Sequence, residues 1–257
     1  MSYIKTVKIL DNITASYITE NIDTVYQAIA NKIASVTGWT KDEISPQLYV
    51  GTGDKQIRIG ISWSADGWFN YDLHTGDKEI YSKFVNTYTN PSNTTKYDIC
   101  LNYCKSKSGK TIGIGVSGNY HSNAPSIDFI IAEDMNGDFA GIGLNSINSP
   151  DSYDFGAKMV YNGNKCTLST TKYNNGYNVG ALRPIIDTRL STTICKLPNY
   201  LGACMFKEVF MILSIPISLG NLNSVVLDIE GKKYQGCYAI SEFSLMEHCN
   251  TLAILAE

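Results

Sequence analysis

Charge is scarce in this sequence. Only 18% of its 257 residues are Asp, Glu, Lys or Arg, and the net charge is -3. No basic field exists to neutralise a phosphate backbone, so nucleic acid is not expected as the main partner. Histidine is sparse as well: His74, His121 and His248 stand far apart, each among polar or turn residues. The chain has no H-E-x-x-H helix motif and no G-x-S-x-G elbow. Its acidic residues are spread too thinly to mark a carboxylate pair for sugar hydrolysis. Triads assemble in space, so sequence does not exclude one. Without a motif, the expectation is a protein that is not an enzyme. Long apolar runs are missing too. The longest, around Phe206 to Ile217, is interrupted by Lys207, Glu208 and Pro216, well short of the roughly 20 residues a membrane helix needs. The opening MSYIKTVKIL carries Lys5 and Lys8 inside its apolar stretch, and no cleavage pattern follows. Synthesis in a cytoplasm without export by the standard route is expected, and so is the absence of a membrane partner.

Cysteine is present, but not in a metal-binding pattern. Of the 7 cysteines only Cys100 and Cys104 stand close together, and a zinc knuckle needs a second such pair. Free, mostly buried thiols are expected, with no metal and no cofactor.

What the chain does have is strand alternation. Ile57, Ile59, Ile61 and Trp63 alternate with Arg58, Gly60 and Ser62; Tyr97, Ile99, Leu101 and Tyr103 alternate with Asp98, Cys100 and Asn102; Ile112, Ile114 and Val116 alternate with Gly113, Gly115 and Ser117. Each run sets its apolar residues on one side of a pleated strand. Turn signals join such runs into hairpins. Ser64-Ala65-Asp66-Gly67 joins Ile57–Trp63 to Trp68–Leu73, Lys107-Ser108-Gly109 joins Tyr97–Lys105 to Thr111–Ser117, and Met135-Asn136-Gly137 joins Ile127–Glu133 to Phe139–Leu144. Further strands are expected at Ile4–Leu10, Leu182–Ile186, Phe206–Ile217, Val225–Ile229, Lys232–Ile240 and Thr251–Ala256. Long loops are expected at Asn86–Thr95, Asn145–Tyr153 and Lys172–Asn178.

One helix is expected, over about 19–37. Thr19 is placed to cap it, Glu20 and Asp23 suit the positive end of its dipole, and Gly38 suits a left-handed C-cap. Ile22, Val25, Ile29, Ile33 and Val36 form its apolar stripe. The expected fold is mainly β: an antiparallel β-sandwich with an N-terminal amphipathic helix covering an open end or face. One domain over 1–257 is the simpler organisation. The alternative divides it into a small α+β head, 1–93, and a β-sandwich, 94–257.

Three local patterns have a functional reading beside a plain one. Gly113-Ile114-Gly115-Val116-Ser117-Gly118 has the letters of a dinucleotide fingerprint. That fingerprint turns from a strand into a helix, whereas loop sequence follows here, so close approach or bending of the strand explains the glycines better. Glu133, Asp134, Asn136 and Asp138 could hold Ca²⁺, but they also have the composition a tight turn selects, which is preferred. Trp63, Trp68, Tyr71 and Tyr81 crowd one stretch. Aromatics on a sheet either fill a core or stack on sugars. Trp68 falls on the strand face opposite Phe69, Tyr71 and Leu73, so one of the two sets is a candidate for exposure. Trp68, Tyr173 and Tyr177 are the candidate glycan contacts. Light charge leaves a surface of Asn, Ser, Thr and Tyr, suited to contact with proteins or sugars; a biased genome produces the same composition.

Two stretches resemble structural proteins of tailed bacteriophages. One is Ser108-Gly109-Lys110-Thr111-Ile112-Gly113-Ile114-Gly115-Val116-Ser117-Gly118-Asn119-Tyr120-His121-Ser122, running on into Ile127-Asp128-Phe129-Ile130-Ile131. The other is Phe210-Met211-Ile212-Leu213 with Leu227-Asp228-Ile229-Glu230-Gly231-Lys232-Lys233-Tyr234 and Cys237-Tyr238-Ala239-Ile240. The resemblance carries no catalytic residue. It implies a virion protein of the tail, tail tip or baseplate, assembled in the host cytoplasm, forming homo-oligomers among other virion proteins. A glycan-binding, receptor-recognising module of the same kind of particle is the alternative.

Overall fold

A computed structural model of the chain describes residues 2–63, 69–75, 78–85, 96–118, 127–144, 156–161, 164–169, 193–198, 205–216, 226–240 and 248–257. Among the described residues strands dominate and every pairing is antiparallel. A central seven-stranded sheet runs β1 (Lys5–Ile13), β7 (Tyr97–Lys105), β8 (Ile112–Gly118), β9 (Phe129–Glu133), β10 (Phe139–Leu144), β11 (Gly156–Tyr161), β12 (Asn164–Ser169). A small five-stranded sheet runs β2 (Thr40–Lys41), β3 (Leu48–Val50), β4 (Ile57–Trp63), β5 (Phe69–Thr75), β6 (Lys78–Val85). A C-terminal five-stranded sheet runs β13 (Thr193–Pro198), β14 (Met205–Pro216), β17 (His248–Leu255), β16 (Lys232–Ile240), β15 (Val226–Ile229). The three expected hairpins form as β4–β5, β7–β8 and β9–β10. Strands β6, β11, β12 and β13 were not expected, and the expected strand Leu182–Ile186 lies outside the described residues.

The helical segment is two helices rather than one starting at Thr19. α1 spans Ala15–Glu20 and α2 spans Ile22–Thr37, with Asn21 out of helical geometry between them. Thr14, not Thr19, caps α1: its side chain accepts from the Tyr17 amide at 3.2 Å. The Thr19 hydroxyl instead donates to the Ala15 carbonyl at 3.2 Å. The stripe falls where periodicity places it, with Val25, Ile29 and Ile33 fully buried, and Gly38 ends α2 at φ 77°.

The sandwich has more than two layers because the central sheet is covered on both faces. Ile112, Ile114, Val116, Phe129, Ile131 and Val160 share one core with α2 and with Leu48, Ile57, Ile59, Tyr71 and Leu73 of the small sheet. Cys104, Ile130, Ala132, Ile142, Met159 and Tyr161 share a second core with Val209, Cys237, Leu252 and Ile254 of the C-terminal sheet. Strands buried on both faces carry continuous apolar runs, as Phe129–Ala132 does, instead of alternating. Glycine lets the layers approach. A Cβ on Gly113 would lie 2.9 Å from Ile127 Cγ2 and 3.1 Å from Ile254 Cδ1; one on Gly141 would lie 3.0 Å from Val160 Cγ2 and 3.2 Å from Leu73 Cδ1.

The outer strand β1 is pinned to β7 by charge. Lys8 Nζ lies 2.7 Å from Asp98 and 2.9 Å from Asp11, and the Asn12 amide donates to Asp98 Oδ1 at 2.9 Å. Lys8 first, then the Asn12 amide, hold the Asp98 carboxyl down from 3.8 to about 2. A carboxyl with a lowered folded-state pKa stabilises above its unfolded value and ceases to do so as pH falls through the folded one. The β1 amides are therefore expected to lose hydrogen-exchange protection as pH falls from 3.8 towards 2. Asp98→Asn is expected to flatten that dependence, as read by exchange mass spectrometry of the β1 peptide. An unchanged acid profile in the variant would place the sensitivity elsewhere.

Candidate functional site

Trp68, Tyr173 and Tyr177, the candidate glycan contacts, all lie outside the described residues. The strand that follows Trp68 does decide which alternate set faces the core. Tyr71 and Leu73 are 1% and 0% exposed, so Asn70, Asp72 and His74 face the other way. Tyr71 packs its ring on Phe129 at 5.0 Å between centroids. Burial, with the Asp128 charge as a second cause, pushes its phenol well above the ordinary value.

The acidic cluster at the β9–β10 turn is structural. Asp134 is wholly buried; its Oδ1 accepts from the Asn136 amide at 2.8 Å and the Asp138 amide at 2.9 Å, and its Oδ2 accepts from the Tyr161 hydroxyl. This is the local capping an Asp-x-Asn-Gly turn favours. The neighbouring acids reach outward to lysines, Asp138 to Lys55 at 2.5 Å and Glu133 to Lys207 at 2.9 Å. Lys55 lies on the connection between β3 and β4 of the small sheet and Lys207 lies on β14, so this turn is held from both neighbouring layers. Among the described residues no group of three or more His, Cys, Asp or Glu is arranged to hold a metal ion.

The glycine-rich motif lies wholly inside strand β8, paired with β7 and β9. A pyrophosphate cradle needs a turn into a helix at that point. The interface between the central and C-terminal sheets is tied by polar groups at its margins. Glu208 accepts from the Ser108 amide at 3.0 Å and the Ser108 hydroxyl at 2.5 Å. Gln235 Oε1 accepts from the Ser2 hydroxyl at 3.1 Å and the Tyr3 amide at 2.8 Å. The Lys107 amide donates to the Leu255 carbonyl at 3.0 Å. Burial pushes the Cys104 thiol up to about 12 and the Cys237 thiol well above its ordinary value, which holds both as unreactive thiols.

One polar surface is not absorbed by these ties. Ile57, Ile59 and Ile61 of β4 and Tyr71, Leu73 and Thr75 of β5 are buried. The alternate residues form the opposite face, where register sets Arg58 beside His74, Gly60 beside Asp72 and Ser62 beside Asn70. Arg58 Nη2 lies 3.3 Å from His74 Nδ1. Sequence reasoning missed this face, because only the alternation was visible and not the polar partners. Comparison with family models, with curated proteins and with solved structures gives no match to this chain.

Proposed function

We propose that the protein is a structural component of a phage or phage-like particle, in its tail or baseplate. It works as a homo-oligomer through contacts with copies of itself and with other virion proteins, and it assembles in the host cytoplasm. One observation carries this reading. The two stretches that resemble phage structural proteins are far apart in sequence yet fold against each other as one double layer. Ile127 and Ile130 from the first share a core with Cys237 from the second, and Ser108 at the head of the first is held by Glu208 at the door of the second.

The surface supports a role in contact. Ile44 is 91% exposed on a turn that is fixed from beneath: Asp42 Oδ1 accepts from the Ile44 and Ser45 amides, and Gln27 Nε2 donates to the Ile44 carbonyl. Met135 is 62% exposed on the capped β9–β10 turn. Apolar tips on fixed backbone lose little entropy on docking. Ring or helical symmetry then uses each small contact many times.

The test is the composition of purified particles. The protein is expected among their stoichiometric components by mass spectrometry, and the isolated protein is expected to self-associate in light scattering as concentration rises. Absence from particles, together with a monomer at every concentration, would overturn the reading.

A further inference from the structure

We propose that Asn136–Gly137, at the tip of the β9–β10 turn, is a latent site of spontaneous isoaspartate formation, and that the Asp134 cap holds it closed. The proposal stands independently of the particle reading. Both residues are exposed. Gly137 takes a positive φ, 87°, that favours glycine, and asparagine is among the residues such turns select. The pair that suits the turn is also chemically labile. Glycine has no side chain to screen its backbone nitrogen, and the side-chain carbonyl of the preceding asparagine lies one ring closure away.

The reaction needs only water. The Gly137 nitrogen gives up its proton and attacks Cγ of Asn136. A C–N bond closes a cyclic imide, the Cγ–Nδ2 bond breaks, and the side-chain nitrogen leaves with that proton as ammonia. Water then opens the ring at either carbonyl. One opening leaves aspartate. The other leaves isoaspartate, with the main chain routed through Cβ and Cγ and a carboxylate added beside Asp134 and Asp138.

In the folded turn the closure is opposed at the nucleophile. The Gly137 amide donates to the Asp134 carbonyl at 3.2 Å. The amides on either side of it, of Asn136 and Asp138, donate to Asp134 Oδ1 at 2.8 and 2.9 Å. Three successive amides thus converge on one residue, which is wholly buried and whose Oδ2 is held by the Tyr161 hydroxyl. The Asp134 amide closes the other side of the turn, donating to the Asp138 carbonyl at 2.8 Å. Bringing the Gly137 nitrogen onto Cγ of Asn136 rotates the peptide between the two residues and breaks bonds to Asp134. The cap therefore adds its own opening cost to the barrier of ring closure.

The test incubates the full chain in mildly alkaline buffer, folded and in denaturant, and follows Asn136 by peptide mapping, with isoaspartate told from aspartate by fragmentation. The folded chain is expected to convert more slowly than the denatured chain by about tenfold or more. Asp134→Ala, still folded, is expected to convert faster than the folded parent by about tenfold or more. Ile29→Ala, at a fully buried position on α2, lowers stability comparably from outside the turn and is expected to keep the parent's rate. If Asp134→Ala does not fold, the milder pair of Asp134→Asn and Ile29→Val decides. The neutral asparagine oxygen holds the amides more weakly than a carboxylate, so Asp134→Asn is expected to convert faster than Ile29→Val. Conversion of the folded parent as fast as in denaturant would overturn the proposal, as would a folded Asp134 variant no faster than its Ile29 control.

Discussion

Replacing Gly113 by valine is expected to lower the unfolding free energy by ~3 kcal/mol or more, or to prevent folding altogether. The Cβ alone would stand 2.9 Å from Ile127 Cγ2 and 3.1 Å from Ile254 Cδ1, and valine adds methyl groups beyond it. Neither neighbour has room to retreat. Ile127 is 1% exposed and leads into Asp128, whose amide donates to the Ile114 carbonyl at 2.6 Å and whose carbonyl accepts from the Leu144 amide at 2.8 Å. Ile254 is fully buried on β17, which is paired on both sides. Strain therefore spreads into two layers instead of being absorbed by one side chain. Gly60→Val in the small sheet is the control: its Cβ makes only ordinary contacts, and stability is expected to stay within about 0.5 kcal/mol. Denaturant titration of the two variants would read the difference. Equal stabilities would mean that the central and C-terminal sheets do not meet as closely as described.

Removing the Asp134 carboxylate is expected to have a comparable effect, about 3 to 5 kcal/mol for Asp134→Ala. The change takes the acceptor from two backbone amides and one hydroxyl at a wholly buried position. Asp134→Asn should be milder, at about 1 to 2 kcal/mol. Its carbonyl oxygen still accepts from the Asn136 and Asp138 amides, and the Tyr161 hydroxyl can turn to accept from the new amide. Tyr161→Phe is expected to resemble the asparagine variant, since it removes only the third bond. If Asp134→Ala melts with the parent protein, the β9–β10 turn is not held by its side chain.

Much of the fold is legible in the sequence because several local signals agree. The β9–β10 hairpin has apolar runs on either side of Asn136-Gly137, and Gly137 adopts the φ of 87° that such a turn requires. Gly109, at φ 75°, does the same between β7 and β8. The helix stripe is right at Val25, Ile29 and Ile33, but the start is wrong. Ile18 continues the apolar pattern backwards and is fully buried in α1, so periodicity runs through the break at Asn21 without marking it. The third layer is hidden for a different reason. In β8 the residues between Ile112, Ile114 and Val116 are Gly113 and Gly115, which have no side chain to declare a face. Gly113 turns out to lie against Ile254. The acidic turn is legible as a turn because Asp, Asn and Gly are turn residues whatever else they do. The polar face around Gly60 is not legible, since its informative property is that Asn70 Oδ1 and Arg58 Nε lack partners. That is a fact of three dimensions.

The double covering of the central sheet also bears on the order in which the molecule can be completed. Strands β1 and β7 to β12 leave the ribosome before β14 to β17, and Gln235, which holds Ser2 and Tyr3, emerges late. A nascent chain that has finished β11 therefore displays Ile130, Ala132, Ile142 and Met159 before Val209, Cys237, Leu252 and Ile254 of the same core have been made. At translation speeds of about 5–20 residues per second, the last of that cover follows β11 by roughly 5 to 20 s, time enough for a chaperone or a sister polypeptide to reach the slab first.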